Sequence, residues 1–191
     1  MTKILGDFIQ DLPEQEGYLV IGFLPNSLSL KKRWENNGLS ADFIADYFKN
    51  FFVNKQEKSL NEEEEIEADN LRDAVKYIAN ELLENAMKFQ DETSRFVAKI
   101  EFSFYDDKLV FCVTNAINLQ QRQSFEHFIK KLLSGDPDDL YFETMRTNVQ
   151  GTASGLGLLS MICDYSAKLG WKLESTTFAT TIASTMVSLD L

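Results

Sequence analysis

The chain has 191 residues, of which 44% are hydrophobic, with only 3 Pro and 9 Gly. This composition is typical of one globular domain with a single main core and excludes disordered and fibrous classes. Acidic residues number 30 and basic residues 19, so the formal net charge is −11, which disfavours binding to nucleic acid or to an anionic membrane. The N-terminal segment interrupts its apolar residues with acids and a proline, and no apolar run approaches about 18 residues. We therefore expect no signal peptide, no membrane span and a cytoplasmic location.

The first half of the chain contains strand and helix patterns in alternation. "GYLVIGFLP" predicts a buried strand that ends at Pro25, followed by a polar connection, "NSLSLKKRWENNG". Ser40 is predicted to cap a helix over "LSADFIADYFKNFF", whose aromatic residues recur at helical spacing. Ser59 and Glu62 form a capping-box pattern at the start of a long helix that runs to Gln90.

The second half begins with two predicted strands, "RFVAKIEFSFY" and "KLVFCVTN", joined at Asp106-Asp107 as a hairpin. Two helical stretches follow, and "GTASGLGL" then leads into a helix whose C-cap is predicted at Gly170. Two strands rich in Thr, Val and Ile end the chain. This order predicts an α/β protein of the α+β type, a two-layer sandwich with helices on one face of a mostly antiparallel sheet.

A polar stripe borders the apolar face of the long helix. Glu81, Asn85 and Lys88 in "NELLENAMKF" fall within about 60° of one another around the helix axis. The apolar residues of the same helix are centred roughly a quarter-turn away. A solvated face and a metal–phosphate site at the rim of the core are both compatible with this pattern.

Glycines precede the next candidate element. Gly151, Gly155 and Gly157 stand immediately before a predicted helix, where backbone N–H groups and the positive end of the helix favour an anion such as phosphate. Glycine before a helix can equally permit close packing. The two cysteines, Cys112 and Cys163, lack CxxC spacing and are expected to be buried free thiols.

Taken together, "NELLENAMKF", the hairpin that ends near Asn115 and "SGLGL" before a helix resemble the Bergerat-fold ATPases, the histidine-kinase-like (GHKL) family. The chain is similar in particular to small serine/threonine kinases that act as bacterial anti-sigma factors and to a short cyanobacterial group of ATP-binding proteins. The resemblance implies a histidine-kinase-like ATPase domain over residues 59–191, with a lid over about 118–150. It also implies a strand–helix extension, residues 1–58, packed on the core.

The resemblance implies a role for each residue of the site, with ATP and Mg²⁺ as cofactors. Glu81 would act as general base or orient the attacking hydroxyl, Asn85 would bind Mg²⁺ through its amide oxygen, and Lys88 would reach phosphate oxygens. Asn115 would accept a hydrogen bond from the adenine amino group. The backbone amides around the phosphates would come from Gly151, Gly155, Leu156 and Gly157.

One stretch departs from the family pattern. Where the family has D-x-G-x-G, this chain has "NAINL", Asn115 to Leu119. Ile117 and Leu119 replace both glycines and are expected to add bulk beside the base. The single histidine, His127, follows the first half of the core and is interpreted as an ordinary helix residue, which argues against an autophosphorylating histidine kinase.

Two functional hypotheses follow from these residues. The first is a cytoplasmic signalling protein that binds ATP–Mg²⁺ and phosphorylates Ser or Thr of a small partner, either an anti-sigma-factor-antagonist-like (STAS) protein or a sigma factor, in a partner-switching pathway. The second is a catalytically silent binding module that has lost the nucleotide. The aromatic-rich N-terminal segments either complete the core or form a surface for a homodimer or a partner.

Overall fold

A computed structural model describes residues 1–23, 30–55, 61–147, 155–176 and 180–191. The strands in these ranges are β1 (Thr2–Gly6), β2 (Gly17–Phe23), β3 (Ala98–Phe104), β4 (Lys108–Ile117), β5 (Lys168–Ser175) and β6 (Thr181–Asp190). The helices are α1 (Leu30–Lys55), α2 (Glu62–Phe89), α3 (Leu119–Ser134), α4 (Pro137–Thr147) and α5 (Leu156–Tyr165).

The strands form one antiparallel sheet in the order β1-β5-β6-β4-β3-β2. The central pair, β4 and β6, runs in register from Lys108 opposite Asp190 to Ile117 opposite Thr181. The predicted hairpin across Asp106-Asp107 is confirmed, because β3 pairs directly with β4. Alternation along each strand sends every second side chain to the helices.

One face of the sheet and four of the helices share the main core. Ile100, Phe102, Phe111 and Val113 of the sheet pack there with buried residues of α1, α2, α3 and α5. On the opposite face, the segment after β1 contributes a small cluster around Met186. The predicted two-layer α+β sandwich is therefore confirmed.

The N-terminal residues contribute to this sheet and core. β1 and β2 are its two edge strands, and α1 packs on α2 and on β3. The ring of Phe48 meets Phe102 edge-on at 6.1 Å between centroids, and Phe51 lies 3.8 Å from Phe104. Strand β1 was not predicted from the sequence, since five residues with no clear alternation carry little signal.

The helix starts differ from the predicted ones. α1 already begins at Leu30, so much of the predicted polar connection is helical and Ser40 lies inside the helix rather than at its cap. Asn37 is buried and its Nδ2 lies 3.7 Å from the Met87 sulfur of α2. Packing against α2 thus offsets the weak helix propensity of "ENNG".

The long helix α2 is capped two residues later than predicted. The Asn61 side chain accepts a hydrogen bond from the Glu64 backbone N–H at 3.0 Å, and the Asn61 N–H donates to the Glu64 carboxylate at 2.8 Å. A capping box therefore exists, but it is formed by these two residues instead of Ser59 and Glu62. Ser59 itself lies outside the described residues.

The helix α5 ends earlier than predicted. Ser166 adopts a left-handed conformation, φ 54°, directly after Tyr165, and its N–H donates to the Ile162 carbonyl. Gly170 is therefore not a cap but a residue of β5, where a side chain would collide with the backbone of Phe8. None of the described helices is long and apolar enough to cross a membrane.

Candidate functional site

Helix α2 places the predicted polar stripe at the edge of the core. Leu82 and Ala86 are buried on the neighbouring face of the helix, whereas Glu81 and Asn85 are half-buried. Lys88 is exposed, and its Nζ lies 5.5 Å from the ring centroid of Phe89. The stripe therefore combines two side chains at the rim of the core with one in solvent.

A cavity of about 410 Å³ lies beside this stripe, between α2, α3, the start of α5 and the strands β4 and β6. A volume of this size falls within the range of small-molecule sites. Three predicted site residues from three separate elements line it: Asn85, Asn115 and Gly155. Its walls are mainly apolar, with Leu82, Ala86, Phe89, Val113, Ile117, Phe125, Phe128, Leu158 and Ala183.

Asn115 supplies an unsatisfied amide to this cavity. Strand β4 directs the side chain to the helix side of the sheet, together with Val113 and Ile117. The residue is only 6% exposed, and its Nδ2 has no hydrogen-bond partner among the described residues. Leaving a buried amide unpaired costs about 1–3 kcal/mol. Because the nitrogen itself is buried, the amide would have to turn for a ligand in the cavity to pair with it and recover that free energy.

The two bulky residues of "NAINL" have different positions. Ile117 is buried and lines the cavity, as expected. Leu119 is 59% exposed at the first position of α3 and does not line the cavity, contrary to the expectation that it adds bulk there. The cause is Asn118, which caps α3 by accepting from the Gln121 N–H at 2.9 Å. This cap begins α3 with Leu119 on the exposed side of the helix, whereas the next two residues, Gln120 and Gln121, line the cavity.

The glycines at the start of α5 fit closely against other side chains. Gly155 precedes the helix with φ 101°, and a Cβ on it would lie 2.4 Å from the Phe128 ring. A Cβ on Gly157 would lie 1.9 Å from the Glu81 carboxylate. Both glycines therefore permit close packing, the alternative that the sequence left open. Leu156 begins α5, and Gly151 lies outside the described residues.

The electrostatic setting of Glu81 is that of a partly desolvated carboxylate. Burial raises the pKa of the Glu81 carboxyl above its ordinary value, and the negative charge of Glu84 raises it further. Glu84 itself accepts a hydrogen bond from Asn80 at 2.8 Å. A carboxylate with a raised pKa is a stronger proton acceptor than an exposed one, which is the property that a general base needs.

The described part of the predicted lid, residues 118–147, contains two helices, α3 and α4. Ile129 and Leu132 of α3 are buried in the core. Glu126 of α3 forms an ion pair with Lys3 of β1 and a second one with Arg122 at 2.9 Å. These hydrogen bonds, first from Lys3 and then from Arg122, lower the pKa of the Glu126 carboxyl.

Sequence reasoning missed several residues of this region. Phe125 and Phe128 of α3 line the cavity, and Arg122 connects α3 to Ser175 at 2.5 Å. The spacing of Arg122 and Glu126 by four residues is the one local signal that indicates their pairing. His127 is exposed on α3, which agrees with its interpretation as an ordinary helix residue.

Among the described residues, the cysteines and acidic groups form no preformed metal site. In the ranges that the structure covers, no group of three or more His, Cys, Asp or Glu residues is placed to hold a metal ion. Cys112 and Cys163 are free thiols, each partly rather than fully buried.

No protein-family model matches the sequence, and no curated protein matches it either. Among solved structures, the chain is similar to a chain in the crystal structure of the SiaB–SiaC complex from Pseudomonas aeruginosa. The two chains are 18% identical, the match covers 90% of this chain and 89% of that one, and the TM-score is 0.58. The likeness shows a shared fold over nearly the whole of both chains.

Proposed function

We propose that this protein is a partner-switching regulator that binds ATP and Mg²⁺ in the cavity and phosphorylates a Ser or Thr of a small protein partner. The observation that carries the proposal is the meeting of Asn85, Asn115 and Gly155 around one cavity. Glu81 does not line this cavity, but it lies one helical turn before Asn85 on α2, with its carboxylate against Gly157 of α5. The neighbour of the same fold is in a complex with another protein, which supports a protein partner here. A STAS-type protein or a sigma factor is the partner that we propose to test first.

The residues present fit the base and the metal. The unpaired amide of Asn115 in a mainly apolar cavity suits the polar edge of a flat heterocycle. Asn85 offers a hard amide oxygen of the kind that Mg²⁺ accepts, usually together with water and phosphate oxygens. ATP–Mg²⁺ would supply the phosphoryl group and a divalent charge. The first amides of α5, at Leu156 and Gly157, would hold the phosphates.

Glu81 would act as the general base. Its carboxylate lies against Gly157 in the first turn of α5, and its raised pKa favours accepting the proton of the partner's hydroxyl. Lys88 points into solvent beside Phe89, so its flexible side chain would have to turn from that ring to meet a phosphate. The remaining task of the chain is to position the partner's hydroxyl, the main contribution of protein to phosphoryl transfer.

The first test is the thermal midpoint with and without millimolar ATP and Mg²⁺, because a ligand at about 100 times its Kd adds roughly 2.7 kcal/mol to the folded state. We expect a rise that Asn85→Ala reduces and that Asn70→Ala, an exposed position on the same helix, leaves unchanged. No rise in the wild-type protein would contradict nucleotide binding. With the partner present, Glu81→Gln should bind ATP but transfer no phosphate.

A second function, a silent binding module, is favoured by one observation. The Phe128 ring and the Glu81 carboxylate lie against Gly155 and Gly157, where phosphates would be held, and a carboxylate repels phosphate. In this case ATP changes neither the thermal midpoint nor the affinity for the partner. Calorimetric titration of the partner with and without ATP–Mg²⁺ distinguishes the two functions.

A further inference from the structure

The polar groups of the cavity share one chemical property. Of the described residues that line it, none is charged, and the polar ones are all amides or hydroxyls: Asn85, Asn115, Gln120, Gln121, Ser124 and Thr185. Each of these side chains can both donate and accept a hydrogen bond. The cavity therefore presents no side chain that is restricted to accepting, as a carboxylate is, or to donating, as an ammonium is.

Asn115 is the deepest of these groups, and its amide orientation is not fixed. It is buried, yet no described residue forms a hydrogen bond with its Nδ2. Of its neighbours on the same side of the sheet, Val113, Ile117 and Ala183 are apolar. The hydroxyl of Thr185, opposite Val113, can either donate or accept, so it does not favour one orientation either. The Oε1 of Gln121 does not fix the Asn115 amide, because it already accepts a hydrogen bond from the Asn118 N–H at 2.8 Å. The Asn115 amide is thus free to turn over about its last bond.

This freedom has a consequence for base recognition. The edge of adenine offers an amino donor beside a ring-nitrogen acceptor, whereas the same edge of hypoxanthine offers a carbonyl acceptor beside a ring N–H donor. An amide presents one donor and one acceptor side by side and can pair with either edge after a turn of about 180°. We propose that the cavity accepts 6-amino and 6-oxo purine nucleotides alike, with Asn115 as the residue that pairs with both. This inference rests on the proposed nucleotide-binding function.

The test is isothermal titration of the full chain with ATP and with ITP, each with Mg²⁺. ITP is chosen because its base reverses the donor and acceptor of adenine and changes little else. We expect the two Kd values to agree within about threefold. A site with a fixed hydrogen-bond pattern would instead reject the reversed edge by tenfold or more.

Asn115→Leu removes both hydrogen bonds at nearly constant volume, and we expect it to weaken ATP and ITP by the same factor, about tenfold. Because the variant also removes an unsatisfied buried amide, its own thermal midpoint should not fall, which separates lost recognition from lost folding. Asn70→Leu, on the exposed face of α2, is the control and should leave both affinities unchanged.

The outcomes separate the inference from the function on which it rests. Similar Kd values for ATP and ITP in the wild-type protein, which rise by the same factor in Asn115→Leu, support both. A preference of tenfold or more for either triphosphate overturns the inference while the nucleotide site stands, and so does a loss confined to one of them in Asn115→Leu. Binding of neither triphosphate overturns the proposed function and the inference with it.

Discussion

The Glu81 carboxylate occupies the space that a side chain on Gly157 would need. A Cβ on Gly157 would lie 1.9 Å from Oε2 and 2.6 Å from Cδ of Glu81. The contact joins α2 to the first turn of α5 beside the cavity, and the atoms that would have to move belong to the end of a flexible side chain. A methyl group at this position would therefore displace Glu81 before it displaced backbone.

Gly157→Ala should accordingly destabilise the wild-type protein by about 1–2 kcal/mol. In a Glu81→Ala background the same substitution should be neutral or stabilising by up to about 1 kcal/mol, because alanine is the better helix former. Urea unfolding of the four proteins gives the coupling energy. Equal effects of Gly157→Ala in both backgrounds would contradict the contact.

The raised pKa of Glu81 gives its removal a definite pH dependence. A carboxyl whose pKa is higher in the folded state stabilises the fold below its unfolded pKa, and this contribution is lost as the pH rises through the raised value. Glu81→Gln should therefore gain stability relative to wild type at pH 7 and lose that advantage near pH 4. Thermal midpoints measured across this interval, with Glu67→Gln as an exposed control on α2, test it. An advantage independent of pH would argue against a desolvated carboxylate.

Glu126 should behave in the opposite sense. Its pKa is lowered by the hydrogen bonds from Lys3 and Arg122, so its contribution to stability is present above the unfolded pKa and is lost as the pH falls through the lowered value. Glu126→Gln should reduce the thermal midpoint at pH 7 and have little effect at a pH below the lowered pKa. Raised salt should also shrink the difference, because the ion pairs are partly exposed. If Glu126→Gln lowered the thermal midpoint as much at acidic pH as at pH 7, Glu126 would contribute through packing and not through its charge.

Phe128 should have separate effects on folding and on nucleotide binding. Its ring packs on Gly155 at the cavity, and truncation to Ala should cost about 2 kcal/mol, less than for a fully buried ring. If the ring covers the phosphate position, the same variant should show a larger ATP-induced thermal shift than wild type. Phe142→Ala, 59% exposed on α4, should change neither quantity. A smaller shift in Phe128→Ala would indicate that the ring contributes to binding instead.

The observed cap of α2 can be tested by a pair of asparagines. Asn61→Ala removes the side-chain acceptor of the Glu64 N–H and should cost about 1 kcal/mol, or roughly 2–4 °C in the thermal midpoint. Asn70→Ala lies within α2 on its exposed face and should be neutral or slightly stabilising. Similar midpoints for the two variants would show that the cap is energetically unimportant.

Local patterns were sufficient for the fold class, and the reason is physical. The hairpin across Asp106-Asp107 and the helix α2 are defined by alternation, by apolar period and by turn residues, all of which act over a few residues. Predictions failed where tertiary packing determines the local structure. Asn37 was predicted to lie in a polar connection, but it is buried in α1 against Met87. Similarly, Gly170 was predicted to end a helix. It lies in β5 instead, where the absence of a side chain lets the backbone of Phe8 come close.

The candidate site also combines residues that local patterns predicted with contacts that only tertiary packing determines. Asn85, Asn115 and Gly155 were predicted together and lie around one cavity, because each belongs to an element that the sequence already indicated. Phe128 of α3 contacts Gly155 at the start of α5. These two residues are too far apart along the chain for a local sequence pattern to predict their contact. The bond between Lys3 and Glu126 joins residues 123 positions apart, and it was likewise invisible in sequence.

The position of β6 has a consequence for how the chain is made. This strand is the last of the six along the sequence, yet it lies in the middle of the sheet, between β4 and β5. Before it emerges from the ribosome, β2, β3 and β4 can pair on one side and β1 and β5 on the other, but no strand pairing joins the two groups. Such long-range closure slows folding and prolongs the exposure of unpaired edges. Translation that stops before Thr181 therefore leaves two incomplete sheets, which chaperones or proteases must clear.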